Sequence, residues 1–348
     1  MSTNKYVTNY TEEENVGNKY RFDYRNDINN FISELRRRKI EESVQNVERF
    51  LNNRDEERAL LAKALGWPLN DNNIGAPKVQ ITKVTEENGV CIYRTVFEIL
   101  NIRYYGLLFL QGTDKKRPLV ICQHGGLGTP ELCSSLLKVG SENYNDMTQR
   151  ILKIGINVFA PQMLIWNPKR FDSIPADTLH RKEVDAQLKE LGSSIAALEI
   201  TLLKKSLDYF CSQPYVDSEH IGMVGLSYGG FYTLYMTALD TRIKAAISCS
   251  FFNDRSMYPW SDWVWNPGKA FFFDPEVAML IYPRAICIAV GKSDKLFDVK
   301  SADGEIERLK EMSYAAYKSI DWFNIAKFNG EHEFITTDDA LQWFKDRL

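Results

Sequence analysis

The chain has 348 residues, 44% hydrophobic and 26% charged, with 43 Lys and Arg against 46 Asp and Glu and a formal net charge of −3. That balance excludes wholesale disorder and leaves no electrostatic footprint for nucleic acid or an anionic membrane. No apolar run approaches the roughly 18 residues that a membrane-spanning helix needs.

In chain order, residues 1–26 read as a polar tail. Met1 to Asn30 lacks the apolar core of a secretory signal, so the chain reads as cytoplasmic, with self-association left open. From Asp27 to Leu65 the pattern is helical: Ile40, Val44, Val47 and Leu51 share one face, and Gly66-Trp67-Pro68 supplies the stop. Residues 1–76 are therefore expected to form a tail and helical appendage, packed on a main domain (residues 77–348) through Phe31, Leu35, Val44 and Trp67. Strand material follows at Lys78–Val84, Val90–Leu100 and Ile102–Leu110, with Asn88-Gly89 as a hairpin turn. After Gly112 short apolar strands at about 119–123, 158–161, 221–224, 243–248, 285–290 and 322–328 alternate with helical segments. Alternation of this kind predicts an α/β fold with a parallel sheet covered on both faces.

Six cysteines without a CxxC pair read as buried free thiols, and four histidines without metal-ligand spacing give no zinc site. No metal or organic cofactor is expected.

The most informative segment is Gly225-Leu226-Ser227-Tyr228-Gly229, a G-x-S-x-G pentapeptide. Its context is the strand Ile221–Val224 before it and an apolar helix from Gly230 after it, the setting in which such a turn lifts a serine above a sheet edge. Only glycine can flank so tight a turn without a Cβ clash. The Ser227 hydroxyl would then stand at a helix start, where free N–H groups favour developing negative charge.

A serine hydroxyl needs a base. In folds with this turn the partners follow in the order acid, then histidine. Asp294 lies just past the strand 285–290 and His332 just past the last strand, at the sheet end where functional loops gather. His332 is the expected general base and Asp294 its orienting acid, with Asp298 as a rival acid. Glu331 and Glu333, beside the histidine, read as solvated loop charges. His124-Gly125-Gly126-Leu127-Gly128 follows the strand 119–123. Its backbone N–H groups are candidates for half of an oxyanion hole, with Gly126 preferred over Gly125 or Leu127 and the N–H of Tyr228 as the other half. No Lys-Ser/Thr follows, so this is not a phosphate cradle. His124 reads as a loop brace, His180 and His220 as surface residues.

Together, His124-Gly-Gly, Gly-Leu-Ser227-Tyr-Gly-Gly, Gly-Lys-Ser-Asp294 and Gly-Glu-His332 resemble the α/β-hydrolase superfamily. The likeness, over about 77–348, is greatest to its dienelactone-hydrolase-like and acetyl xylan esterase-like branch. The resemblance implies a mostly parallel eight-stranded sheet with helices on both faces, a Ser-His-Asp triad and hydrolysis of esters, often acetyl esters on sugars. Dienelactone hydrolases proper use a cysteine nucleophile where this chain has Ser227. Many relatives carry Asp after the Ala-Pro ending the fourth strand, where this chain has Gln162. The Ser-Tyr-Gly-Gly stretch also resembles prolyl-oligopeptidase-type peptidases, but about 75 residues ahead of the first strand leave no room for their propeller. The expectation is a serine carboxylic-ester hydrolase acting on a small-molecule ester, with a small serine peptidase and a non-catalytic binding protein as alternatives.

Residues 251–273 hold nine aromatics, among them Trp260, Trp263 and Trp265. They read either as a satellite core or as a pocket wall for a sugar ring or acyl group. A second insertion, 166–189, places Trp166 on a candidate opposite rim.

Overall fold

The computed structural model describes residues 10–71, 73–165, 181–265 and 271–348. Its elements are, in order, α1 (Asn18–Gln45), α2 (Glu48–Asn52), α3 (Arg54–Leu65), β1 (Lys78–Glu87), β2 (Val90–Ile99), β3 (Ile102–Leu110), β4 (Arg117–Gln123), α4 (Pro130–Cys133), α5 (Met147–Lys153), β5 (Asn157–Pro161), α6 (Arg181–Glu190), α7 (Ile195–Cys211), β6 (Val216–Leu226), α8 (Tyr228–Leu239), β7 (Ile243–Cys249), α9 (Asp274–Met279), β8 (Ala285–Gly291), α10 (Val299–Tyr317), β9 (Phe323–Phe328) and α11 (Asp339–Lys345).

All nine strands of the described residues join one sheet in the order β1-β2-β3-β5-β4-β6-β7-β8-β9. The eight-stranded expectation is thus corrected to nine. The first three strands form antiparallel hairpins, and β3 is antiparallel to β5. From β5 through β4, β6, β7 and β8 to β9 every pairing is parallel. Asn88 and Gly89 both take positive φ (52° and 78°), the backbone that a two-residue turn matched to strand twist requires.

Alternating side chains of the strands serve two cores. Leu107, Phe109, Val120, Val158, Val224 and Ile247 meet residues of α4, α5 and α11 on one face. On the other, Phe97 meets Phe210 of α7 edge-on and Phe159 meets it tilted, at centroid distances of 5.5 and 4.8 Å. The first turn of α7 is capped by Ser194, which accepts from the Ala197 N–H (3.0 Å) and donates to the Leu65 carbonyl at the end of α3 (2.7 Å).

Two compact units emerge, Met1–Asn46 and Val47–Leu348. The pair α2 and α3 belongs with the sheet. Arg58 donates to the Ala238 and Leu280 carbonyls at the ends of α8 and α9 (3.0 and 2.8 Å), where free carbonyls need donors. In the first unit the helix begins at Asn18, well ahead of the expected Asp27. Trp67, in the second unit, is 45% exposed. All six cysteines are free. Among the described residues no helix is long and apolar enough to cross a membrane.

Candidate active site

The site is built where three parallel strands end. Strand β6 runs into Ser227, whose backbone is forced to φ 59°, ψ −117°, before α8 begins at the next residue. Sterics explain the flanking glycines. A Cβ on Gly225 would strike the Gly229 peptide, one on Gly229 would strike the Gln123 carbonyl, and one on Gly230 would lie 2.7 Å from the Cys249 oxygen. The turn is held by the Ser227 N–H, which donates to the Cys249 carbonyl at the end of β7 (2.8 Å).

Beyond β8, Asp294 has its side chain almost fully enclosed and a fixed polarity. One carboxylate oxygen, Oδ1, accepts the N–H groups of Leu296 and Phe297 (2.8 and 2.9 Å). The other, Oδ2, lies 2.9 Å from Nδ1 of His332. Burial raises the carboxyl pKa, but the His332 bond and the two amides outweigh it, and the net shift is downward. Asp298, the rival acid, is otherwise engaged: its Oδ2 caps α10 through the Ser301 N–H (2.7 Å).

The His332 loop is sewn to the same edge. Lys292 and Ser293 donate to the Phe328 and Gly330 carbonyls (both 2.9 Å), while Cys249 Sγ and Ser250 Oγ donate to the Glu333 carbonyl (3.3 and 3.2 Å). Cys249 therefore touches both the Ser227 turn and the histidine loop. The imidazole stacks on Phe297, with centroids 5.4 Å apart and planes at 25°. Among the described residues no direct hydrogen bond joins Ser227 Oγ to His332; such bonds are often long in a free enzyme and tighten with substrate. Glu333 is not the solvated charge expected. Its carboxylate accepts the Glu331 N–H (3.0 Å) and the Asn145 side-chain amide (2.8 Å), bracing the loop from behind. Glu331 pairs with Lys295 on the surface.

The glycine loop after β4 packs directly against the elbow. A Cβ on Gly125 would lie 3.4 Å from Ser227 Cβ, and one on Gly126 3.2 Å from the Tyr228 ring. The N–H groups of this loop are not equivalent. Gly125 donates to the Tyr144 hydroxyl (3.0 Å), Gly128 to the Gly125 carbonyl (3.2 Å) and Leu127 to the Ile165 carbonyl. Neither the Gly126 nor the Tyr228 N–H donates to a described acceptor. His124 is fully buried with Nδ1 2.8 Å from the Gly125 carbonyl, while Nε2 accepts the Met163 N–H (3.1 Å). The second bond fixes the proton on Nδ1, and burial pushes the imidazole pKa down to about 4, so His124 is a neutral brace. His220 is exposed beside Asp217, and His180 lies outside the described residues.

The tryptophans divide. Trp263 is 2% exposed and packs on Tyr228, Phe251 and Phe297 at 4.7, 5.1 and 5.9 Å. Trp265 rests on Phe231 and Tyr235 of α8. Trp260 is only half-buried, stacked over Tyr228 at 6.1 Å. Trp166 lies outside the described residues. Sequence reasoning missed the charged cluster behind these rings, Arg181, Glu199 and Asp262, whose side chains are 8%, 5% and 0% exposed. The one available signal was Glu199, a lone acid inside the apolar run Ile195–Leu203. Among the described residues no cluster of His, Cys, Asp and Glu could hold a metal ion.

With this geometry in hand, comparison with known proteins is decisive for the family. The profile of the dienelactone hydrolase family matches residues 137–340, more than half of the chain. The chain belongs to the dienelactone hydrolase family. Among curated proteins it is similar to YtaP of Bacillus subtilis (strain 168), named as a hydrolase, with 28% identity over 230 residues, 63% of this chain and 74% of that one. Among solved structures it resembles a Bacteroides fragilis NCTC 9343 protein described as an acetyl xylan esterase. That likeness has a TM-score of 0.61 and 16% identity, over 85% of this chain and 82% of that one. It also resembles a glucuronoyl esterase from Solibacter usitatus, with a TM-score of 0.60 and 13% identity over 84% and 91%. At these identities the structural likeness establishes the α/β-hydrolase fold. This family member is a hydrolase.

Proposed function

We propose that this hydrolase cleaves carboxylic esters through an acyl-Ser227 intermediate, with acetylated or otherwise esterified carbohydrates as the substrate class. One observation carries the reading. A serine held at φ 59° on a strand-to-helix turn shares one sheet edge with a histidine whose Nδ1 is 2.9 Å from a buried carboxylate. The Nδ1–H donated to Asp294 leaves Nε2 as the basic nitrogen. His332 takes the Ser227 proton as the oxygen attacks the ester carbonyl, then delivers it to the departing alcohol. Asp294 stabilises the imidazolium between these steps. The oxyanion accepts the N–H groups of Tyr228 and Gly126, which the neighbouring loop leaves unengaged. Water, activated by the same imidazole, then releases the acid. The half-buried Trp260 offers a face for a sugar ring at the rim. The sugar-ester names of the structural neighbours support the substrate class.

The test compares p-nitrophenyl acetate and acetylated xylo-oligosaccharides with aminoacyl-nitroanilides. The expected enzyme turns over the esters and ignores the amides. A fluorophosphonate labels Ser227, and Ser227→Ala lowers kcat by more than about 10⁴-fold. Amide cleavage at a comparable rate would turn the reading to a peptidase. An unlabelled Ser227, or an active Ser227→Ala variant, would remove the acyl-serine mechanism.

A further inference from the structure

Behind the elbow lies a charge cluster that the proposed chemistry does not use. Arg181, the first residue of α6, directs Nε at Asp262 Oδ2 (2.8 Å), Nη1 at Glu199 Oε2 (2.8 Å) and Nη2 at the Tyr232 hydroxyl (2.6 Å). Two carboxylates thus enclose one guanidinium, almost without solvent. Burial of this kind is expensive, and apolar side chains of similar volume would serve stability at least as well. What the cluster supplies instead is fixed geometry.

The object fixed is Tyr228. Its hydroxyl donates to Asp262 Oδ2 (2.8 Å), the same oxygen that receives Arg181 Nε. The Arg181 guanidinium lies 5.2 Å from the ring centroid, and Trp263 and Trp260 pack on the ring. One helical turn further, Tyr232 is held by the same arginine and by Glu199, so two successive residues on one face of α8 are anchored to one cluster. On its remaining side the Tyr228 ring reaches Gly126, where even a Cβ would sit 3.2 Å from Cδ2. The ring therefore abuts Gly126 and is attached to Tyr228, the two residues whose N–H groups are the proposed oxyanion donors.

We infer that Asp262, held in place by Arg181, is a positioning residue: by anchoring the Tyr228 hydroxyl it sets the ring, and through the ring the spacing of the Tyr228 and Gly126 N–H groups. The inference rests on the reading of Ser227 as the nucleophile. Donors aimed at a tetrahedral oxyanion act only when held to a fraction of an ångström, and a shift near 1 Å costs about a hundredfold in rate. A loosened ring should therefore depress kcat and leave KM nearly alone, because the ground-state ester makes little use of these donors.

The test uses the full chain with Tyr228→Phe, Asp262→Ala, which removes the oxygen that accepts the Tyr228 hydroxyl, and the double variant. Each single change is expected to lower kcat on p-nitrophenyl acetate by about 10- to 100-fold, with KM within about threefold of the parent. Affinity for a boronic acid, which forms a tetrahedral adduct on the serine, should fall by the same factor. The double variant should be no worse than the poorer single, since both delete one contact. Tyr228→Phe removes a single oxygen and keeps the question open to measurement if Asp262→Ala fails to fold. Folded variants with parental kcat and boronate affinity overturn the inference, as do losses that multiply in the double variant. Failure of the underlying reading is separable: in that case the parent enzyme itself leaves Ser227 unlabelled by a fluorophosphonate.

Discussion

Replacing Asp294 by Asn changes one atom and should remove most of the activity. The two oxygens of Asp294 are not interchangeable, because Oδ1 already accepts two backbone N–H groups, from Leu296 and Phe297. An asparagine turned with its NH2 toward them would leave buried donors unpaired, at about 1–3 kcal/mol each. Its oxygen therefore stays with the amides, and its NH2 faces His332 Nδ1. That nitrogen must then become the acceptor, which moves the imidazole proton to Nε2 and leaves the proposed nucleophile, Ser227, without a base. The carboxylate charge that would stabilise the imidazolium is lost as well. Together these effects correspond to a fall in kcat of about 10⁴-fold, or roughly 5 kcal/mol of transition-state stabilisation at 1.36 kcal/mol per factor of ten. Initial rates on p-nitrophenyl acetate near neutral pH measure it, with thermal melting to verify the fold. Asp298→Asn is the paired control. Asparagine caps a helix about as well as aspartate, so that variant should keep kcat within about twofold. An Asp294→Asn enzyme within tenfold of the parent, or a larger loss in Asp298→Asn, would refute the argument.

Further outcomes follow from the site's surroundings and from the fold. His124, with its pKa depressed to about 4 against an ordinary value of 6.5, binds its proton in the unfolded chain before the folded one does. Stability should therefore fall as pH drops from 6.5 to 4, by up to about 3 kcal/mol, and urea unfolding across that range should show a flatter dependence in His124→Asn. Gly304, inside α10, has open space where a Cβ would stand, so Gly304→Ala should add about 0.5–1 kcal/mol in chemical denaturation. Gly229→Ala, whose Cβ meets the Gln123 carbonyl, should instead abolish a stable native state. Trp263→Ala should cost about 3–5 kcal/mol as a cavity mutation, whereas Trp260→Ala, removing a half-buried ring, should lower melting less and raise KM for sugar esters; the reverse pattern would exchange their roles.

Much of the architecture was legible because its causes are local. The strand segments stand out as short apolar runs, and the Asn88-Gly89 turn is marked by residues that accept positive φ. The turn at Leu100 and Asn101, with φ of 54° and 62°, carries no such mark, since nothing about leucine announces a left-handed backbone. The early start of α1 was hidden by polarity. A solvated helix held by pairs such as Arg37 with Glu34 and Glu41 has no buried stripe to show. The elbow and glycine loop were readable for the same reason as the hairpin: each needs residues without a side chain at fixed offsets. The Arg181 cluster was not, because its charges come from segments 18 and 81 residues apart, and a charged residue in a polar insertion looks like any surface residue.

The aromatic insertion shows why core and site wall were poor alternatives to begin with. Trp263 is core by burial, yet it stacks on Phe297, and Phe297 in turn carries the His332 ring at 5.4 Å. Phe297 also gives its N–H to Asp294 Oδ1. Both members of the proposed acid–base pair therefore lean on one phenylalanine, whose far side is packed by the insertion. Tyr258 reaches the same loop by accepting the Asp298 N–H (2.7 Å), and Asn253 does so by donating to the Asp298 carbonyl (2.9 Å). The neck of the insertion is closed by Arg255 on Asp274 (2.6 Å), fully inside the protein. An insertion fixed at its neck, at Asp262 and against the loop of Asp294 is in a position to hold the proposed nucleophile, base and acid in register together. A substitution in its aromatic core should thus register in kcat as well as in stability, a coupling that neither reading alone would lead one to measure.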